Sequence, residues 1–379
     1  MSRRIVQFGT SRFLQAHVDL FVHEARLAGQ AVGPISVVKT TPGAERRGRI
    51  DAMRQPAGFP VRIRGYRDGV VVDETVQVRS VDQALTAAED WPNVLNLFAG
   101  GTDIAVSNVG EQGYGIAMAD LHRRFLSHQI PESFPAKLLL LLLARFEAGG
   151  KPFLMLPCEL LPSNGRALRQ QLDRLAFAWD VPTQFSEWLA NAVIFADTLV
   201  DRIVSQEIEP VGAIAEPYAL WAIRNTGFPP PLLHPAIVYT DDLERYERLK
   251  LHILNLGHTV LAQTWIADQR PSTETVRAIL ADPLIDQRLS EIYDEEVVPA
   301  FAVLGMGEEA ARYVQTTRER FRNPFLDHRI ADIAQNHAIK IERRIAAFLA
   351  LIREHAPSMI LPRLTAIAAA PAQGGQPIL

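Results

Sequence analysis

The chain has 379 residues, 48% of them apolar and 22% charged, with 39 Lys and Arg against 43 Asp and Glu for a formal charge of −4. This composition excludes disordered, collagen-like and coiled-coil classes, and the even charge balance argues against a nucleic-acid binder, which needs a concentrated basic excess to neutralise phosphates. Residues 136–144, the longest apolar stretch, contain Lys137 and fall far short of the ~20 residues of a membrane span.

Cys158 stands alone, so no intrachain disulfide or Cys-rich zinc site forms, and a reducing compartment is expected. The start MSRRIVQFG lacks a secretory apolar run, which points to a cytoplasmic protein. Residues 4–8 (RIVQF) are β-branched and meet Gly9 at once, and a helical period begins near Phe13. Residues 35–38 (ISVV) form a second strand that stops in the turn residues 39–43. A β-α-β passage within about 45 residues has the size of a βαβ unit, half of a nucleotide-binding fold.

Asp68-Gly69 lies between apolar runs at 61–65 and 70–72, a hairpin signal. A helical stretch follows over 81–97, then a buried strand over 102–108 ending in Ser107 and Asn108, the strand end at which open α/β sheets hold ligands. Helix 135–147, strand 153–156 and helix 165–179 continue the alternation. From about Ser205 strand-like runs thin out, and helical periods over 243–262, 285–304 and 328–352 dominate. The pattern predicts an α/β Rossmann-type domain with an antiparallel β insertion over 1–204 and a mostly α-helical domain over 205–364. A loose tail over 365–379 completes it.

The first turn, Gly9-Thr10-Ser11-Arg12-Phe13, keeps only the first glycine of a dinucleotide fingerprint. A helix amino terminus behind it still offers N–H groups and a positive dipole end to a pyrophosphate, and Arg12 adds charge. An ordinary βα turn fits equally well. Lys39 stands where an acid would bind the adenosine ribose of NAD; it suits the 2′-phosphate of NADP or a solvated strand end.

Lys250, Asn255 and His258 fall on one helical pattern. At 100° per residue Asn255 lies ~140° and His258 ~80° round from Lys250, so the long lysine must reach back to meet them. Such a trio suits carbonyl reduction: an ammonium protonates the nascent alkoxide, an amide steadies the charge and an imidazole orients hydroxyls. In reverse a neutral Lys250, its pKa depressed by burial, would be the base. A surface lysine, a capping asparagine and a core histidine would produce the same spacing. Charged clusters at 196–203 and 320–325 read either as ion-pair networks or as sites for an anionic sugar acid; the second opens a long helix carrying His328, His337 and Lys340.

The segments IVQFGTSRFLQAH, VSNVGEQGY, FPAKL, PCELLPSNG, FADTLVDRIV, KLHILNLGHT and RFRNPFLDH, in this order, resemble the polyol-specific long-chain dehydrogenases, the mannitol dehydrogenase family. The PCEL wording, the VRIRGYRDGVVVDETVQVRSV hairpin and LERYERLK are most similar to its tagaturonate reductase (altronate oxidoreductase) branch. The resemblance implies a Rossmann-type domain followed by a helical one, an active site in the cleft between them, and no metal. It implies Lys250 as general acid/base, Asn255 as oxyanion donor and His258 as substrate orienter. Phosphate contacts fall on Gly9, Thr10, Ser11, Arg12 and Phe13; nicotinamide and ribose contacts on Ser107, Asn108, Glu111, Val200 and Asp201; substrate contacts on Arg320 and Asn323.

This chain departs from the family at Ser11 in place of the second glycine, at Leu256-Gly257 in place of Gly-Ala, and at Val109-Gly110 in place of a Thr pair. Leu160 also lacks an amide that some members carry. The expected activity is an NAD-dependent oxidoreductase, with NADP as the alternative cofactor. It would interconvert a keto-sugar acid and its aldonate in hexuronate breakdown. The alternatives are a neutral polyol or sugar-phosphate dehydrogenase and, in another class, a non-catalytic nucleotide-responsive binding protein.

Overall fold

The computed structural model describes residues 3–41, 47–121 and 129–369. Its strands in chain order are β1 (Arg3–Phe8), β2 (Val32–Lys39), β3 (Phe59–Arg67), β4 (Val70–Val78), β5 (Val81–Thr86), β6 (Ile104–Ser107) and β7 (Phe153–Pro157). Shorter strands follow: β8 (Val193–Phe195), β9 (Thr198–Asp201), β10 (Val204–Glu207), β11 (Ala213–Ala215), β12 (Leu220–Arg224) and β13 (Ile237–Thr240). Two compact units form. The first holds Met1–Ile63, Glu74–Ala215 and Ala219–Leu243; the second holds Arg64–Asp73, Glu216–Tyr218 and Glu244–Leu379.

In the first unit β5-β2-β1-β6-β7-β8 make one sheet, every neighbouring pair parallel. Alternate residues serve opposite layers: Ile5, Val37, Ile104 and Leu154 pack into one core, Val6, Val38, Ala105 and Phe153 into another. A sheet covered on both faces calls for near-continuous apolar runs, and β6 and β7 are buried throughout, with Ser107 the one side chain of β6 that carries a polar group. The chain runs outward through β1, β2 and β5, then returns to start β6 on the other side of β1. The carboxyl ends of β1 and β6 therefore flank the topological switch point, where such sheets bind ligands.

A second sheet, β10-β11-β3-β4, and a third, β13-β12-β9, complete the strands. At the β3–β4 turn Asp68 and Gly69 have φ of 52° and 76°, the two positive values that an Asp-Gly hairpin turn requires. The second unit is helical. Residues 243–267 form one continuous helix, with its middle turn, Lys250–Leu254, widened to the π form. Around it pack Gly307–Phe321, Ala347–His355 and Pro362–Ala369 through a core that includes Ile253, Leu256, Tyr293, Phe301 and Phe348.

Four expectations are corrected. Residues 81–86 are a strand, because the half-polar run VDQALT pairs with β2 at a sheet edge and needs only Ala84 and Thr86 buried. Residues 205–243 carry four strands of three to five residues, too short for a clear period, so the first unit runs to Leu243 rather than 204. The helix expected over 328–352 is broken: residues 320–321 end the helix Gly307–Phe321, His328 precedes Ile330–Ile333, and Asn336 in the left-handed region (φ 54°) restarts the chain at His337. Residues 365–369 lie in Pro362–Ala369, where Leu364 and Ile367 are buried; 370–379 lie outside the described residues.

Candidate active site

The switch point is built by a glycine and a serine. Gly9 has φ +115°, and a Cβ there would stand 2.6 Å from the Asn108 carbonyl oxygen, so only glycine lets the two strand ends meet. The Asn108 N–H donates to the Phe8 carbonyl at 2.9 Å, and the Gly9 N–H to Val38 at 3.1 Å. Ser11 is the N-cap of the helix that follows: its hydroxyl oxygen accepts from the Leu14 N–H at 3.3 Å and donates to Asn108 Oδ1 at 2.9 Å. The residue standing in for the second glycine thus ties β1 to β6.

Thr10 presents its carbonyl to Gln15 Nε2 and Arg49 Nη1, and Phe13 stacks on His17 at 4.7 Å. Arg12 is exposed, whereas Lys39 is buried at the end of β2. Val200 and Asp201 are buried in β9. The Glu111 side chain lies outside the described residues.

Glu159, not expected as a functional residue, organises this strand end. Its carboxylate is 3% exposed and accepts from Ser107 Oγ at 3.0 Å, the Val109 N–H at 3.0 Å and the Tyr114 hydroxyl at 2.7 Å. Burial raises its pKa from the ordinary carboxylate value, and the three donors pull against that shift. Asn164 is a second unforeseen bracket: Nδ2 donates to the carbonyls of Pro157, Glu159 and Thr198, while Oδ1 accepts from the Thr198 N–H at 2.9 Å. These contacts join the PCELLPSNG and FADTLVDRIV segments. An acid directly after the apolar run FLMLPC was the signal available in sequence.

The widened turn changes the arithmetic of the trio. The Asn255 N–H bonds to the Lys250 carbonyl, five residues back instead of four. Lys250 and Asn255 therefore stand one turn apart on one side of the helix, not ~140° apart as 100° per residue requires. His258, three residues on, is a same-face neighbour of Asn255. Lys250 and Asn255 are half-buried. His258 is 6% exposed, lies 4.5 Å from the Phe321 ring and 4.9 Å from His328, and its Nε2 has no hydrogen-bond partner among the described residues. Burial, and then the nearby His328 and Arg320, hold its pKa well below the usual imidazole value, so it is neutral at working pH.

Arg320 and Asn323 do not join the trio's pattern. The Arg320 guanidinium meets Glu216 through two bonds of 3.0 and 2.8 Å, with both side chains at most 3% exposed, and lies 4.4 Å from the Tyr218 ring. Its charge is compensated before any substrate arrives. Asn323 uses both ends locally: Nδ2 donates to the Arg64 carbonyl at 3.1 Å and Oδ1 accepts from the Phe325 N–H at 2.9 Å. The amide of Asn323 fastens a turn, and its proposed substrate contact would use the N–H and lone pair that these two bonds leave over. Among the described residues no group of three or more His, Cys, Asp or Glu side chains could hold a metal, and no helix is long and apolar enough to cross a membrane.

Family models for a mannitol dehydrogenase Rossmann domain and a mannitol dehydrogenase C-terminal domain match residues 3–234 and 242–372. The chain belongs to the mannitol dehydrogenase family. Among its relatives in this family is an altronate oxidoreductase of Halalkalibacterium halodurans, 29% identical over 373 residues, covering 91% of this chain and 70% of that protein. Another, from Yersinia pestis, is 32% identical over 394 residues, covering 96% and 77%. Solved structures of the same fold include a D-sorbitol dehydrogenase (TM-score 0.78, 20% identity, 93% of this chain and 77% of that one). A Pseudomonas fluorescens mannitol 2-dehydrogenase in ternary complex with NAD and D-mannitol has a TM-score of 0.71 at 20% identity, covering 97% and 78%.

Proposed function

We propose that this member of the mannitol dehydrogenase family is an NAD-dependent oxidoreductase that interconverts a keto-sugar acid of the tagaturonate type and its aldonate. Similarity to altronate oxidoreductases at 27–32% identity over most of the chain supports that substrate class. The observation that carries the chemistry is the widened turn, which puts an amine, an amide and a neutral imidazole on one helix face.

The nucleotide turn suits a dinucleotide, since Gly9 leaves no Cβ in the crevice and Ser11 caps a helix whose first N–H groups suit a phosphate. NAD, when bound, supplies or accepts the hydride at the substrate carbon. In reduction Lys250 Nζ gives its proton to the carbonyl oxygen as that oxygen gains negative charge, and in oxidation neutral Nζ removes it from the hydroxyl. The Asn255 amide donates to the same oxygen, and a neutral His258 hydrogen-bonds a substrate hydroxyl. Lys39, buried at the end of β2, is a cation where NAD enzymes carry an acid, and this supports NADP as a second cofactor.

Replacing Lys250 by Ala tests the reading: turnover should fall by roughly a thousandfold or more, with NADH fluorescence titration unchanged. Ordinary turnover in K250A would refute it. A neutral polyol remains the second reading, favoured by the compensated guanidinium of Arg320. Initial rates with altronate, mannitol and mannitol 1-phosphate separate the two.

A further inference from the structure

The widened turn at Lys250–Leu254 is one of three among the described residues of the second unit, with Ile292–Val297 and Glu342–Ala346. A π turn shifts the hydrogen-bond ladder by one residue, so it needs outside partners to persist. Here side chains of the second and third turns serve the helix that carries the first, and the first serves the third. The Tyr293 hydroxyl, from the second, donates to the Ile253 carbonyl of the first at 3.0 Å. His252 Nδ1, from the first, donates to the Arg344 carbonyl of the third at 3.0 Å. Arg344 Nη1 returns to the Asn255 carbonyl at 3.3 Å and to Thr259 Oγ1 at 3.1 Å.

Tyr293 is fully buried, and its hydroxyl fits only because residue 257 is glycine: a Cβ at Gly257 would stand 1.8 Å from that oxygen. Gly257 has no positive φ to require it, so the close approach of the tyrosine is its structural reason.

We infer that Tyr293 is a positioning residue, whose hydroxyl, seated against Gly257, holds the wide turn that brings Lys250 onto the same helix face as Asn255. This rests on the reading of Lys250 as the proton-transfer group. With the hydroxyl gone the turn can relax toward the ordinary helical period, which rotates Lys250 away from Asn255 while leaving the nucleotide-binding unit untouched. Lys250 then loses alignment with the reacting oxygen, an effect on the chemical step more than on binding.

The test uses the full-length enzyme with Y293F, G257A, the double variant and K250A. Y293F keeps the ring and should lower kcat about tenfold with KM and NADH affinity within about twofold, the split expected when alignment at the reacting atoms is lost. The limb of the kcat pH profile that reports the Lys250 amine should shift as well. Amide hydrogen exchange at residues 253–257, read without any substrate, should quicken in Y293F and stay slow in K250A. G257A should lose thermal stability, and Y293F/G257A should regain part of that loss because the closest clash is gone.

The proposal is overturned if Y293F keeps wild-type kcat, pH profile and exchange. It is equally overturned if Y293F unfolds outright, which would make the hydroxyl a prop for the whole unit, or if the double variant is no more stable than G257A. Undiminished turnover in K250A overturns the underlying reading instead; exchange in Y293F still reports on the turn itself.

Discussion

The two polar sites of this protein are constructed in opposite ways. At the switch point of the first unit nearly every polar group is committed: Ser11 to Leu14 and Asn108, Asn108 to Phe8 and Cys158, and Glu159 to Ser107, Val109 and Tyr114. Along the wide turn of the second unit and the helix that continues it, the backbone is tied down by Tyr293 and Arg344, while His258 Nε2 is buried with no partner among the described residues. The contrast teaches a division of labour. A committed network fixes backbone, and fixed backbone is what a pyrophosphate reads. A buried imidazole nitrogen with unspent hydrogen-bonding capacity, held on a fixed backbone, suits the reaction proposed for this unit.

Damage to the first site should therefore appear in cofactor binding, and damage to the second in turnover. The largest expected effect on cofactor binding is that of Gly9→Ala. With φ +115° and a Cβ 2.6 Å from the Asn108 oxygen, it should weaken NADH binding at least about a hundredfold, checked by fluorescence titration; unaltered affinity would break the comparison. Next comes Arg320→Met, which strands a buried Glu216 and should cost about 3–5 kcal/mol of stability in urea unfolding. The paired change with Glu216→Gln should recover much of that. If Arg320 instead served a substrate carboxylate, the single variant would lose altronate turnover at unchanged stability.

A smaller effect is expected of Glu159→Gln. The amide cannot accept from all three donors, so stability should fall by about 1–3 kcal/mol, with KM for NAD raised and kcat little altered. A larger change in kcat than in KM would show that the first site takes part in the chemistry.

Acid dependence sharpens the picture further. Burial lowers the pKa of His258 well below the usual value and that of His17 to about 3. Each is neutral when folded and protonated when unfolded between its lowered pKa and ~6.5, so the unfolded state binds more protons there. Stability is therefore unaffected above ~6.5 and falls below it, by about 1.4 kcal/mol per pH unit for each such histidine. Urea midpoints measured from pH 7.5 to 4.5 should show this. A flat profile would mean that the imidazoles are not buried as neutral groups.

Much of the fold was legible wherever a period ran long enough. Residues 4–8, 102–108 and 153–156 read as parallel strands because burial on both faces demands unbroken apolar runs, and Asp68-Gly69 announced its hairpin. Residues 81–86 and 205–243 did not read, since edge strands and strands of three residues carry no period. The site was partly legible. Gly9, Ser11, Asn108, Lys250, Asn255 and His258 were singled out from local wording and spacing and stand as proposed site residues, whereas Glu159, Asn164 and Tyr293 were not singled out, because each acts through partners 34–52 residues distant in the chain.

Sequence by itself determined the composition class, the first strands β1 and β2, the β3–β4 hairpin, the buried strands β6 and β7, and the residue types that suit hydride chemistry, all of which follow from local propensity and short-range spacing. Only tertiary structure decided that Arg320 is neutralised by Glu216 and that Asn323 fastens a turn. It alone decided that Lys250 and Asn255 share a helix face. That last point could not be read from 100° per residue, because a wide turn persists only when distant side chains satisfy it, and those neighbours exist only once the chain has folded.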